Sequence, residues 1–163
     1  MQLSWGHHTH VMGVINLTPD SFSDGGRFDR PERALAQARV LVAQGVEVLD
    51  LGAQSTRPGA EDVGAEAELA RLLPALRLIR EAFAEAEQPP LISVDTFRAP
   101  VAEAALEAGA DWINDVSGGR RDAAILRVVA CAGCPYVLVH SRGDSQSMDG
   151  LTDYGAGGVV DGV

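Results

Sequence analysis

Three times in this chain a helical stretch ends on a glycine and runs at once into a short apolar segment with a polar tip: AQGVEVLDLG at 43–52, EAGADWINDVSG at 107–118 and CAGCPYVLVHS at 131–141. Gly45, Gly109 and Gly133 stand where a helix C-terminus turns left-handed, a conformation open to a residue without Cβ. Each apolar segment that follows is too uniform to keep one face in water, which predicts buried strands of a parallel sheet. Apolar residues at helical spacing fill the intervals and predict helices over 30–44, with Pro31 in the first turn, and over 65–86, 99–108 and 121–132. The strands then fall at 11–16, 46–51, 91–95, 111–115 and 136–140. Strict alternation of strand and helix demands right-handed crossovers and a parallel sheet.

An open doubly wound sheet and a (βα)8 barrel both satisfy this order, and the strand tips favour the barrel. In sequence they are Asn16, Asp50, Asp95, Asn114 with Asp115, and His140. A barrel gathers one or two polar groups from the end of each strand around a single mouth. A dinucleotide-binding sheet concentrates its signal in a Gly-rich turn of G-x-G-x-x-G type after the first strand, and that turn is absent from the sequence.

Composition limits the chemistry. With 163 residues, 46% hydrophobic and 22% charged, the chain reads as one domain, 1–163, with a sizeable core. A net charge of -10 argues against nucleic acid and anionic membranes as partners, so an anionic ligand must be held by local groups. Every basic residue is Arg, which removes lysine chemistry from these residues. No apolar run reaches the length of a membrane span, and a cytoplasmic location is expected. The pair Cys131 and Cys134 has redox-motif spacing, but Gly133 and Pro135 make it the end of a helix running into a strand.

Four segments carry a resemblance over nearly the whole chain: NLTPDSFSDGG, GAQSTRPGAE, SVDTFRAPVAEAALEAGADWINDVSGG and VHSRGDSQSM. In order and spacing they resemble dihydropteroate synthases, of the pterin-binding barrel type. The resemblance implies a (βα)8 TIM-barrel fold of α/β class, with about five of eight βα units within this chain. It implies the condensation of 7,8-dihydropterin-6-ylmethyl pyrophosphate with p-aminobenzoate, releasing pyrophosphate and forming dihydropteroate for folate synthesis. It further implies Asn16 as a Mg²⁺ ligand and Thr56 and Arg57 as contacts to pyrophosphate and p-aminobenzoate. Asp95 and Asn114 become the readers of the pterin edge, and Asp24 the loop carboxylate that closes over a cationic reacting carbon. Arg57 and Asp24 are the catalytic candidates. Mg²⁺ is the expected cofactor, and a homodimer the expected assembly of a complete barrel.

These residue types suit that chemistry. Loss of pyrophosphate from a carbon on an electron-rich ring develops positive charge there and negative charge on the leaving group, so a cation, an Arg fork and exclusion of water are the natural tools. Asp50 and Asp115 are assigned to support of neighbouring loops. Gln54 stands where the family often has Glu, and Ser141 and Ser145 depart from its usual residues.

Two other functions compete: a methyltetrahydrofolate-dependent methyltransferase of the same barrel type, opposed by TPDSFSDGG and STRPG, and a noncatalytic pterin-binding fragment. The resemblance also sets a further pterin-binding Asp, a Lys and a phosphate-gripping Arg and His in three units that these residues do not include. A truncated chain or partial gene is the expected reason. His7, His8 and His10 precede the first strand, which assigns them to the barrel's bottom face, away from the chemistry, and argues against a metal-ligand set.

Overall fold

The computed structural model describes residues 3, 6–18, 30–55, 62–140, 142, 147, 150, 151, 153, 154 and 158. Five strands alternate with four helices: β1 (Met12–Asn16), α1 (Arg30–Ala43), β2 (Val48–Gly52), α2 (Gly64–Ala82), β3 (Leu91–Asp95), α3 (Ala99–Glu107), β4 (Trp112–Asp115), α4 (Ala124–Ala132) and β5 (Tyr136–Leu138). All neighbours pair in parallel, in the spatial order β1-β2-β3-β4-β5. A doubly wound sheet must reverse its strand order at a switch point, and this sheet never does. The consecutive order is that of a barrel arc.

The repeated glycine does what its position demands. Gly45, Gly109 and Gly133 have φ of 91°, 102° and 63°, all left-handed. Gly133 is the C-cap of α4, and its N–H returns to the Val129 carbonyl. At the second of these turns Arg80 of α2 reaches across, donating to the Gly109 carbonyl and to Asp111 Oδ2, so the helix is tied to the entry of β4.

Register explains which face of each strand is dry. Ile15, Leu51, Val94 and Ile113 form one cross-strand row, and they join Leu72, Leu76 and Ile79 of α2 in the core between sheet and helices. Burying each of these large side chains contributes about 1.5–3 kcal/mol. The opposite face is the inside of the arc. The expectation of strands buried on both faces holds for β2, where all five residues are buried, and fails at the two ends of the sheet. β1 alternates exposed and buried, with Val14 at 52% exposure, because it pairs on one side only; Leu138 of β5 is 67% exposed for the same reason.

Helix α4 starts later than the 121–132 reading. Asp122 accounts for the delay: one carboxylate oxygen accepts from the Ala124 N–H at 3.1 Å and the other from the Ala99 N–H at 2.8 Å. One side chain therefore satisfies orphan donors at the starts of α4 and α3 together. No helix among the described residues is long and apolar enough to cross a membrane.

Candidate functional site

Asn16, Gly52, Asp95 and Asn114 pair in a single row across four strands, all at strand C-terminal ends. Residues paired across parallel strands project from the same face, and this row projects into the arc, opposite the Ile15 row. Directly beneath it lies a second row: Val14, Asp50, Ser93 and Trp112.

The two rows form an acceptor-rich, poorly satisfied patch. Asn114 donates from Nδ2 to Asp50 Oδ2 at 3.1 Å. Asp50 Oδ1, Ser93 Oγ and Asn114 Oδ1 are buried and have no hydrogen-bond partner among the described residues. Such atoms are rare in native interiors because each forfeits its hydration, so three together mark a surface built for something else to touch. Asp95 stands above them with its carboxyl pushed up to about 7, first by burial and then by the charges of Asp50, Glu68 and Asp115. A carboxyl placed in such surroundings favours a ligand that presents donors.

Gly52 gives this patch its opening. A Cβ added there would lie 3.6 Å from Asp95 Oδ2 and 3.8 Å from Asn16 Oδ1. The missing side chain leaves a gap flanked by a carboxylate and a neutral carbonyl oxygen.

Around this rim, polar groups fix the loops. Gln54 Oε1 accepts from the Val63 N–H at 3.0 Å while its Nε2 donates to the Ser55 carbonyl at 2.9 Å, so one side chain joins the two ends of the STRPG loop. Beyond that loop Asp62 takes ion pairs from both Arg98 and Arg121, and Arg98 also pairs with the buried Glu68. The two guanidinium groups lie over the Phe97 ring, at 4.3 and 3.8 Å from its centroid. The STRPG loop thus returns to α2 at a point held by residues of two other βα connections.

Asp115 works as expected, in support of its loop. Its carboxylate accepts from the Ser117 N–H at 2.7 Å, the Gly119 N–H at 2.8 Å and the Tyr136 hydroxyl at 2.7 Å. Gly118 must be glycine in this wrap: its φ is 59°, and a Cβ would sit 3.0 Å from the Val139 carbonyl oxygen. Asp50 differs from its assignment to loop support, since it faces the arc and bonds Asn114. Ser93 was not singled out at all. Alternation could have found both, because Asp50 and Ser93 lie two residues before Gly52 and Asp95 on the same strand faces. Both cysteines are free, Gly133 between them caps α4 as its position predicts, and burial pushes Cys134 up, away from thiolate reactivity. Asp24, Thr56 and Arg57 lie outside the described residues.

Residues 12–163 match the pterin binding enzyme family. The chain belongs to that family. Among family relatives it is 49% identical to a dihydropteroate synthase of Synechocystis over 93% of its own length and 50% of the relative's. It is 42% identical to the Bacillus subtilis dihydropteroate synthase over 93% of its length and 51% of the relative's. Of solved structures, the Clostridium difficile dihydropteroate synthase in the presence of pteroic acid superposes with a TM-score of 0.80 at 38% identity, covering 86% of this chain and 52% of that one. The Xanthomonas albilineans enzyme with 4-aminobenzoic acid gives 0.75 at 42% identity, covering 83% and 48%. The chain thus spans about half the length of these four dihydropteroate synthases, and its sheet is an arc of their TIM barrel.

Proposed function

We propose that this chain supplies the pterin-reading half of a dihydropteroate synthase, which joins p-aminobenzoate to 7,8-dihydropterin-6-ylmethyl pyrophosphate. The observation that carries the reading is the row Asn16, Gly52, Asp95 and Asn114 beside three buried polar atoms with no partner among the described residues. A pterin presents ring N–H and amine donors beside ring acceptors along one flat edge. The ionised Asp95 carboxylate accepts from the donors, and the Asn114 carboxamide pairs with the neighbouring positions. Donors from the pterin satisfy atoms that have no partner among the described residues, so recognition gains the value of relieved desolvation.

In the reaction the bond from the methylene carbon to the pyrophosphate oxygen breaks, the amine nitrogen of p-aminobenzoate bonds to that carbon, and the amine loses a proton. Holding the pterin ring against the strand tips fixes the carbon at the mouth, where the two co-substrates meet. Arg57 and Thr56 offer a guanidinium fork and a hydroxyl to pyrophosphate and to the p-aminobenzoate carboxylate, and Asp24 brings a negative charge toward the carbon as positive charge develops. Asn16 fits the expected Mg²⁺, since its Oδ1 is a hard neutral donor at the edge of the Gly52 gap. When bound, Mg²⁺ neutralises charge on the departing pyrophosphate. The assembled enzyme in this reading is a cytoplasmic homodimer.

Calorimetric titration of the chain with 7,8-dihydropterin tests the reading. Binding is expected above pH 7 and weakens up to about tenfold per unit as pH falls below about 7, because protonated Asp95 loses an acceptor. In a barrel completed with the second half of a relative, dihydropteroate should form from the two substrates. Absence of pterin binding, or turnover of methyltetrahydrofolate with no dihydropteroate formed, overturns it.

A further inference from the structure

At the opposite end of the sheet from the mouth, two histidines and a glutamate converge. His8 and His10 precede β1 two residues apart, His8 in a bend that follows a turn, and both imidazoles reach the same carboxylate. Glu47 precedes β2 and is anchored on both sides: its N–H donates to the Val11 carbonyl at 3.1 Å, and its carbonyl accepts from the Leu91 N–H at 2.9 Å. The pairing of β1 with β2 therefore delivers Glu47 to the histidines by backbone geometry. His8 Nε2 lies 3.1 Å from Glu47 Oε1, and His10 Nδ1 lies 2.9 Å from Glu47 Oε2. The three groups offer ligand atoms all within 4.8 Å of one another.

We propose that His8, His10 and Glu47 form a binding site for a divalent metal ion of the zinc class on the bottom rim of the barrel. Donor chemistry selects the class: imidazole nitrogens suit Zn²⁺ and its neighbours, whereas Mg²⁺ and Ca²⁺ prefer oxygens throughout. The geometry fits it. Zn²⁺ binds imidazole nitrogen at about 2.0–2.1 Å and carboxylate oxygen at about 2.0–2.2 Å, which sets neighbouring tetrahedral ligands about 3.4 Å apart. The observed nitrogen-to-oxygen separations fall short of that by a few tenths of an ångström, within the reach of small side-chain rotations. The imidazole rings stand edge to face, with centroids 4.2 Å apart and planes at 62°, so they do not stack and block the space between their nitrogens. The His10 side chain is 7% exposed and that of His8 56%, which gives the ion a fixed wall on one side and an open coordination position toward solvent on the other. The surrounding chain carries a net charge of -10, which attracts cations.

Such an ion would hold residues 8–10 to the start of β2 and stabilise the folded chain by mass action. The site owes nothing to the pterin reading, since it lies at the other strand ends and its test needs no substrate. The chain, dialysed against chelator, is titrated with Zn²⁺ by calorimetry and with Co²⁺ by visible absorption. One ion per chain is expected, with the intense bands of four-coordinate cobalt and a raised melting temperature. His8→Ala, His10→Ala and Glu47→Gln should each weaken binding at least about tenfold, the loss that changes in outer-sphere partners of metal ligands already produce. His7→Ala should leave it unchanged, and circular dichroism checks that each variant is folded. His8 is largely exposed, so its variant reports on the site even if His10→Ala unfolds. No saturable binding, or binding that survives His8→Ala and Glu47→Gln but disappears on Cys131→Ser, overturns the proposal.

Discussion

Replacement of Asp95 by Asn should make the empty protein more stable, and the gain should grow with pH. Folding raises the Asp95 carboxyl from an ordinary 3.8 to about 7, through burial and the charges of Asp50, Glu68 and Asp115. The folded state therefore keeps a proton that the unfolded state has already lost. Stability falls as pH rises from about 4 to about 7 and is level above, where the ionised carboxylate costs its full penalty. A shift of about three units at 1.36 kcal/mol each puts that penalty at about 4 kcal/mol. Asn cannot ionise, so the variant is free of this penalty. Asp95→Asn is expected to raise the unfolding free energy at pH 8 by about 2–4 kcal/mol, and by less than about half as much at pH 5. Urea unfolding of both chains at the two pH values, followed by far-UV circular dichroism, measures the difference directly. The same variant should bind 7,8-dihydropterin more weakly, so that stability and recognition move in opposite directions. Equal gains at pH 5 and pH 8, or a loss at pH 8, would refute the electrostatic argument and mark Asp95 as a structural residue held by its own hydrogen bonds.

Asp115→Ala should cost about 3 kcal/mol or more, since it leaves two loop N–H groups and the Tyr136 hydroxyl without their acceptor, whereas Tyr136→Phe should cost about 1 kcal/mol. Urea midpoints distinguish the two, and near-equal losses would disprove the wrap as the support of that loop. Gly52→Ala places a methyl group at ordinary contact distance from Asp95 and Asn16, so stability should change by less than about 1 kcal/mol. Pterin affinity in that variant should nonetheless fall at least about tenfold, because the gap between the two polar side chains is filled. Undiminished affinity by calorimetry would move the ligand away from the Gly52 gap.

Much of this architecture is written locally. β3 coincides with its sequence boundaries because a Pro pair ends one side and Pro100 in the first turn of α3 fixes the other. The three glycine turns and the polar strand tips are likewise readable one segment at a time, and so was the row of Asn16, Asp95 and Asn114. What the sequence conceals depends on register between strands far apart in the chain. Asp50 finds Asn114 across 64 positions, and His10 finds Glu47 across 37. Neither pairing carries a local mark. Asp122 shortens α4 for a similar reason, since half of its carboxylate is committed to α3. Gln54, read as a mild departure from the family, proved to be the staple of the loop beside it, a role that becomes visible only once Val63 is near.

The left-handed glycines carry a consequence for how such a chain can change over generations. Every helix-to-strand junction they form lies at the strand entrances, the end remote from the row of Asn16, Asp95 and Asn114. At Gly45 and Gly133 an added side-chain atom would meet nothing within 4 Å, so these bends have room to spare. A cut, duplication or inserted segment at such a bend leaves the opposite rim untouched. Inheritance can therefore recombine the units through one end of the sheet while selection tunes the other, and new substrates can be acquired without relearning how to fold.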